Sequence, residues 1–274
     1  MRRFSPIRLL LADVDGTLVT QDKVLTAAAR QAAARLRAAH VILAITSGRP
    51  PRGMSMLVKP LELEAPIAGF NGGVLVDPDL SVLETHALAP DVARQAMSVI
   101  LAAGLDAWLY TAEAWMIRAS NAPHVAREAW TVKFDPVVTP EFQDADLDLA
   151  IKIVGVSDDL AKVAACERRI QRALGKSASA ARSQPYYLDV TSAVANKGEV
   201  VHALSRRLGI PPECIATIGD MPNDTLMFHA GGFSIAMGNA SDEVKTHADA
   251  VADSNEMEGF AMAVDQFILP RAAA

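Results

Sequence analysis

The sequence has 274 residues, 51% of them apolar, with a formal net charge of -6 and a pI near 5.5. That length and apolar content allow a sizeable core, divided over one or two domains. The acidic balance argues against nucleic acid or an anionic membrane as the main partner, since both reward clustered Lys and Arg, so any anionic ligand must be met by a local site.

In chain order, Met1-Arg2-Arg3 has the charge of an export-signal opening, but Asp13 and Asp15 cut the following apolar stretch before an export core is complete. Leu9 to Ala12 reads as a buried strand, and Thr26 as the cap of an alanine-rich helix that runs to about Ala39. Val41 to Ile45 is again strand-like and Arg52 to Val58 a short helix. Ile67 to Phe70 is a third strand, ending in the turn signal Asn71-Gly72-Gly73. The rhythm returns late in the chain. A helix from about Lys197 to Leu208 precedes the strand Ile215 to Ile218, the helix Asp224 to Ala230, the strand Phe233 to Met237 and a closing helix near Gly259 to Phe267. Strands alternating with helices predict a parallel sheet. No run reaches the roughly 20 apolar residues of a membrane span.

Between these halves the texture changes. All tryptophans (Trp108, Trp115, Trp130) and all tyrosines (Tyr110, Tyr186, Tyr187) lie there, among turn residues such as Asn121-Ala122-Pro123 and Asp135-Pro136. Residues 85–189 are therefore read as a domain inserted into a core made of 1–84 and 190–274. The aromatics either fill the core of a small sheet or offer their faces to a sugar, with core-filling the commoner use. Ser177 to Ala181 reads as a loop or helix end, and Arg168, Arg169, Arg172 and Lys176 as a solvated helix face rather than a substrate clamp. Cys166 and Cys214 form neither a CxxC nor a zinc spacing, which makes them ordinary buried thiols and a reducing cytoplasm the natural setting. None of the histidines has metal spacing either.

In a parallel α/β sheet, ligands bind outside the carboxyl ends of the strands. Asp13 and Asp15 follow the first strand, Ser47-Gly48-Arg49 the second, Asn71 the third and Gly219-Asp220 the strand at 215–218, while Lys197 opens a helix near the same rim. Residues two apart in an extended stretch point to one side, so Asp13 and Asp15 can address one small object. With Asp220 they form an all-oxygen environment suited to a hard cation such as Mg²⁺. Gly16 lets the backbone approach a ligand closely and present N–H groups to an anion, and Lys197 and the Ser47 hydroxyl add donors. A carboxylate attended by a cation, a lysine and amide donors points to phosphoryl transfer. Asn223 and Asp224 either cap the next helix or belong to the site, and the two roles can coexist.

These residues resemble the motifs of the haloacid dehalogenase superfamily. Asp13-Val14-Asp15-Gly16-Thr17 is similar to its first motif, Ser47 in Thr46-Ser47-Gly48-Arg49 to its second, Lys197-Gly198 to its third and Gly219-Asp220 with Asn223-Asp224 to its fourth. Tyr187 to Asp189, Asn196-Lys197-Gly198 and Ala236-Met237-Gly238-Asn239-Ala240 resemble the Cof-type sugar phosphatases, whose large subclass IIB cap lies between motifs two and three. Ser47 stands where threonine is common, keeping the hydroxyl.

The resemblance implies a Rossmannoid core with a central parallel sheet and an inserted α/β cap. It implies that Asp13 attacks phosphorus and becomes an aspartyl phosphate, and that Asp15 protonates the leaving alcohol and then activates water. Mg²⁺ would take the side chains of Asp13 and Asp220 and the backbone carbonyl of Asp15, with Asp224 and Asn223 supporting that shell. Gly16, Ser47, Gly48, Asn71, Lys197 and Asn223 would line the substrate's phosphate side. The expected protein is a cytoplasmic Mg²⁺-dependent phosphatase of a small phosphorylated metabolite, a sugar phosphate, with no nucleic-acid or membrane partner, as a monomer or small homo-oligomer. A phosphomutase of the same superfamily and a non-catalytic phospholigand-binding protein are the alternatives, and the second has no need of Asp15 as a proton carrier.

Overall fold

The structure, a computed structural model, describes residues 5–272, so the leader-like opening Met1-Arg2-Arg3 lies outside the described residues. The first stretch runs β1 (Leu9–Asp13), α1 (Ala27–Ala38), β2 (Ile42–Thr46), α2 (Ser55–Leu61), β3 (Ile67–Gly69), β4 (Val74–Val76) and β5 (Val82–Thr85). The middle comprises α3 (Pro90–Ala102), β6 (Asp106–Tyr110), β7 (Trp115–Ile117), α4 (Val125–Val132), β8 (Val137–Val138), α5 (Asp144–Leu147), β9 (Lys152–Val156), α6 (Leu160–Leu174), β10 (Ala178–Gln184) and β11 (Tyr187–Ser192). The return adds α7 (Lys197–Leu208), β12 (Ile215–Gly219), α8 (Thr225–Ala230), β13 (Phe233–Ala236), α9 (Asp242–Lys245), β14 (Ala250–Val251) and α10 (Gly259–Ala263).

Two sheets result. The first has the order β14-β13-β12-β1-β2-β3-β4-β5, parallel from β14 to β3 and antiparallel at β4 and β5. Inside the sheet, β1 is apolar up to its last residue, Asp13, because both faces are covered: Leu10 and Ala12 enter one buried cluster, Leu9 and Leu11 another. Thr26 caps α1, its hydroxyl accepting from Ala29 N–H at 3.1 Å, and the helix lays Ala29, Ala32, Ala33 and Leu36 on the sheet. This winding leaves the carboxyl ends of β1, β2, β3 and β12 side by side, with Asp13 in register with Thr46 and Gly219 with Ala236.

The second sheet, β10-β11-β9-β6-β7-β8, is built wholly from residues 106–192 and is antiparallel except at β7–β8. Strand alternation gives it two different faces. Leu109, Ile153, Leu188 and Val190 pack under α3 and α6. Trp108, Tyr110, Val154 and Tyr187 join the buried cluster that also holds Met54, Phe70 and Val74 of the first sheet's layer. The Trp108 and Trp115 rings meet edge to face at 5.3 Å, Tyr110 stacks on Trp115, and Phe70 meets Tyr110 edge-on at 5.5 Å. Most aromatics of this middle stretch are thus core, while Trp130 is half exposed.

Several local expectations change. Apart from Ser177, a bend, the run to Ala181 is strand rather than loop or helix end: Gly175, at φ 53°, closes α6, and Ala178 and Ala180 then turn inward while Ser179 and Ala181 face out. Such small side chains carry the period of two without a hydropathy signal. The segment expected as one helix from Arg52 is a 3₁₀ turn, Pro51–Met54, followed by α2, which runs past Val58 to Leu61 with Pro60 inside it. Asp224 sits in a 3₁₀ turn, Pro222–Asp224, just before α8. The closing helix splits into α10 and a π turn, Val264–Ile268. Cys166 and Cys214 are buried free thiols. Arg168, Arg169, Arg172 and Lys176 lie on the exposed side. Among the described residues, no helix is long and apolar enough to cross a membrane.

Candidate active site

Asp13 ends β1 almost fully buried. Its Oδ1 accepts from Lys197 Nζ at 2.6 Å, while its Oδ2 is buried with no hydrogen-bond partner. Lys197 is the first residue of α7, placed by the Asn196 cap whose side chain accepts from Glu199 N–H, and its Nζ also reaches Asp224 Oδ1 at 2.5 Å. Asp13, Asp220 and Asp224 each offer one oxygen within 4.8 Å of the others. Three carboxylates with one buried ammonium leave excess negative charge, and an orphaned buried oxygen costs free energy unless something meets it. Both facts fit a hard divalent cation held by oxygen ligands.

The electrostatics follow from this crowding. Burial, aided by the charges of Asp224 and Asp220, pushes the Asp13 carboxyl well above the usual carboxylate range against the pull of Lys197. Burial and Asp224 raise Asp220 to about 6, with Lys197 and a Thr17 hydroxyl bond opposing. Burial disfavours the charged Lys197, yet Asp13 and Asp224 outweigh it and hold the ammonium above an ordinary lysine.

Two glycines make room for the acids. Gly16 has φ +85°, and a Cβ there would collide with the Asp220 carboxylate; a Cβ on Gly219 would collide with Asp224. The missing Cβ at Gly16 thus makes room for a side chain of the protein itself. Asp224 does not cap α8 with its side chain: Oδ2 instead closes the preceding 3₁₀ turn, accepting from the N–H groups of Asp220 and Met221 at 2.8 Å, while Oδ1 lies in the acid cluster.

Asp15 takes different partners from Asp13. Arg49 grips it with two bonds, Nε to Oδ2 at 2.7 Å and Nη2 to Oδ1 at 2.6 Å, and Lys23 Nζ adds an ion pair at 2.7 Å. Burial would raise its pKa, but Arg49 and Lys23 prevail and lower it to about 2. The Asp15 carboxylate is outside the cluster of three acids. Ser47 is buried between these groups; its Oγ lies 3.4 Å from Asp15 Oδ2 and accepts from Arg49 N–H at 3.1 Å. Asn71, left-handed at φ 57°, donates its N–H to Ser47 O at 2.8 Å and accepts at Oδ1 from Asn223 Nδ2 at 3.2 Å. A Cβ added at Gly48 would lie at ordinary contact distance from the Asn71 amide. The candidate residues 13, 15, 16, 47, 48, 71, 197, 220, 223 and 224 thus lie at strand and helix ends along one edge of the first sheet.

Three groups there had no role assigned from the sequence, although Arg49 and Asn239 stand inside its motifs. Arg49 and Lys23 hold Asp15. Asn239, after β13, donates to Gly16 O at 2.9 Å and to Asp220 Oδ2 at 3.1 Å. Its signal was available: the amide in Met237-Gly238-Asn239 follows the next parallel strand along the sheet.

Known proteins agree with this architecture. The family profile of haloacid dehalogenase-like hydrolases matches residues 10–264. A 5-amino-6-(5-phospho-D-ribitylamino)uracil phosphatase of Bacillus subtilis is 24% identical over 96% of this chain and 98% of its own. A pyridoxal phosphate phosphatase of Escherichia coli is 27% identical over 93% and 96%. The solved structure of a haloacid dehalogenase-like hydrolase from Bacteroides thetaiotaomicron superposes with a TM-score of 0.87 at 27% identity, covering 95% of this chain and 99% of the other. With its parallel sheet, its rim of buried acids and a match spanning nearly its whole length, this chain belongs to the haloacid dehalogenase-like hydrolases.

Proposed function

We propose that this chain is a Mg²⁺-dependent phosphatase that hydrolyses a small phosphorylated metabolite, a sugar phosphate, through an aspartyl phosphate on Asp13. The observation that carries this reading is Asp13 itself, with one oxygen held by Lys197 and the other buried and unpaired beside Asp220 and Asp224. Asp13, Asp220 and Asp224, with the backbone carbonyl of Asp15, are the groups to hold the ion, which when bound neutralises phosphoryl charge. The two relatives named above act on small phosphorylated molecules, which supports a substrate of that class.

Asp13 attacks phosphorus in line; its oxygen-to-phosphorus bond forms as the bond to the leaving alcohol breaks, and the alcohol oxygen takes a proton from Asp15. Water then gives a proton back to Asp15 and attacks the aspartyl phosphate, releasing inorganic phosphate and free Asp13. Arg49 and Lys23 keep Asp15 ionised in the free site; an adjacent phosphoryl dianion opposes them and raises its affinity for the proton it must donate. Lys197 offsets repulsion between Asp13 and the dianion. Ser47 and Asn71 donate to the phosphoryl oxygens, and Gly16, Gly48 and Asn223 shape the same wall. Residues 85–189 act as the cap, covering the leaving group and excluding bulk water.

Release of inorganic phosphate from a panel of sugar phosphates with Mg²⁺ tests the reading, with Asp13→Asn as control. It predicts release by the native chain and at least about 1,000-fold less by the variant, given the size of nucleophile effects in covalent catalysis. Isomerised product without free phosphate indicates a mutase, binding without turnover a phospholigand-binding protein, and undiminished release by Asp13→Asn removes the assigned nucleophile.

A further inference from the structure

The Asp15 carboxylate is the one acid of the rim that stands apart from the acid cluster, and what holds it is unusually complete. Arg49 is 4% exposed, and its guanidinium meets both carboxylate oxygens of Asp15 with two short N–H bonds, the fork geometry that fixes a carboxylate plane as well as its position. The remaining Nη1 donates to Gly53 O at 3.3 Å, which anchors the fork to the 3₁₀ turn. The Arg49 backbone is pinned as well, its N–H donating to Ser47 Oγ and its carbonyl accepting from Phe70 N–H at 2.9 Å.

We infer that Arg49 is a positioning residue for the proton transfer: it holds the Asp15 carboxylate in the plane and at the place from which its proton reaches the leaving alcohol. The inference rests on the phosphatase reading above, in which Asp15 is the proton carrier. Lys23, on the exposed side of Asp15, contributes charge through a single flexible ammonium, whereas orientation comes from the buried fork. The turn that anchors the fork also touches the second sheet's layer. A Cβ at Gly53 would lie 3.1 Å from the Val132 carbonyl at the end of α4, and the carboxylate of Glu128, one turn earlier on that helix, feels the Arg49 charge. The turn that anchors the fork thus packs against the end of α4.

A leaving-group comparison tests this. The specificity constant kcat/KM ends at departure of the alcohol, so later hydrolysis of the aspartyl phosphate does not enter it. An alkyl phosphate needs a proton on its leaving oxygen; p-nitrophenyl phosphate does not. With the Mg²⁺-loaded full chain, Arg49→Gln is expected to lower kcat/KM about 100-fold or more for the alkyl ester and less than about tenfold for the aryl ester, the lower end of what a positioned general acid contributes. Arg49→Lys keeps the charge without the fork and is expected to show the same selective loss, with wild-type Mg²⁺ affinity as evidence of an intact fold. Equal loss on both esters, or full recovery of the alkyl ester in Arg49→Lys, overturns the inference while leaving the phosphatase reading standing. A native chain that hydrolyses neither ester overturns both.

Discussion

Asp13, Asp220 and Asp224 share one buried corner with a single lysine, and the consequences are measurable at the level of single atoms. Removing Lys197 leaves three acids without their buried counter-charge. Lys197→Ala should therefore destabilise the metal-free protein by about 3–5 kcal/mol in urea unfolding, the usual cost of stripping one partner from a buried pair. The Tm gained on adding a divalent ion should be larger in the variant than in the native chain. Because Asp220 keeps a proton up to about pH 6 and Asp13 is shifted in the same direction, a binding cation must displace protons. Its apparent affinity should rise with pH, by about tenfold between pH 5 and 7 for one displaced proton, and calorimetric titration at the two pH values reads this directly. Gly16→Ala meets both a left-handed backbone, worth about 1–2 kcal/mol, and the Asp220 carboxylate, so cation affinity should fall about 10 to 100-fold in the same titration. Motif residues were legible in the sequence because their types are chemically demanding at strand ends. The fork of Arg49 on Asp15 was not, since nothing in the string Ser47-Gly48-Arg49 tells which carboxylate a long side chain will reach.

Among the elements, β1 explains why the site is where it is. Burial on both faces keeps Leu9 to Ala12 apolar, and the first tolerable place for a carboxylate is the strand's end, where β2, β12 and α7 also terminate or begin. This alternation of strand and helix is what made the first sheet readable. The second sheet was harder where its strands carry small side chains, as in β10: the two-residue period of Ala178 and Ala180 is silent in hydropathy. Its aromatic face serves mainly as packing. Trp108 is fully buried between Trp115 and Tyr187, so Trp108→Ala should cost about 3–5 kcal/mol in chemical denaturation, well above the effect of the same change at half-exposed Trp130.

For the whole molecule, chain connectivity separates what chemistry brings together: Lys197 bonds an aspartate 184 positions earlier, and Thr17 approaches Asp220 across 203. An inserted unit can occupy that interval without disturbing the rim, because β1, β2 and β12 pair directly whatever lies between them in sequence. The buried cluster containing both Phe70 and Tyr110 then sets the second sheet against the site's edge. On the proposed reading, Asp13 is the reactive group. The most direct measurement is acid quenching during turnover of a hydrolysed phosphate ester, followed by mapping of the phosphorylated peptide. The account predicts phosphate on Asp13, in the peptide that carries β1, and none in Asp13→Asn; phosphate on a different side chain, or wild-type turnover by Asp13→Asn, would contradict it.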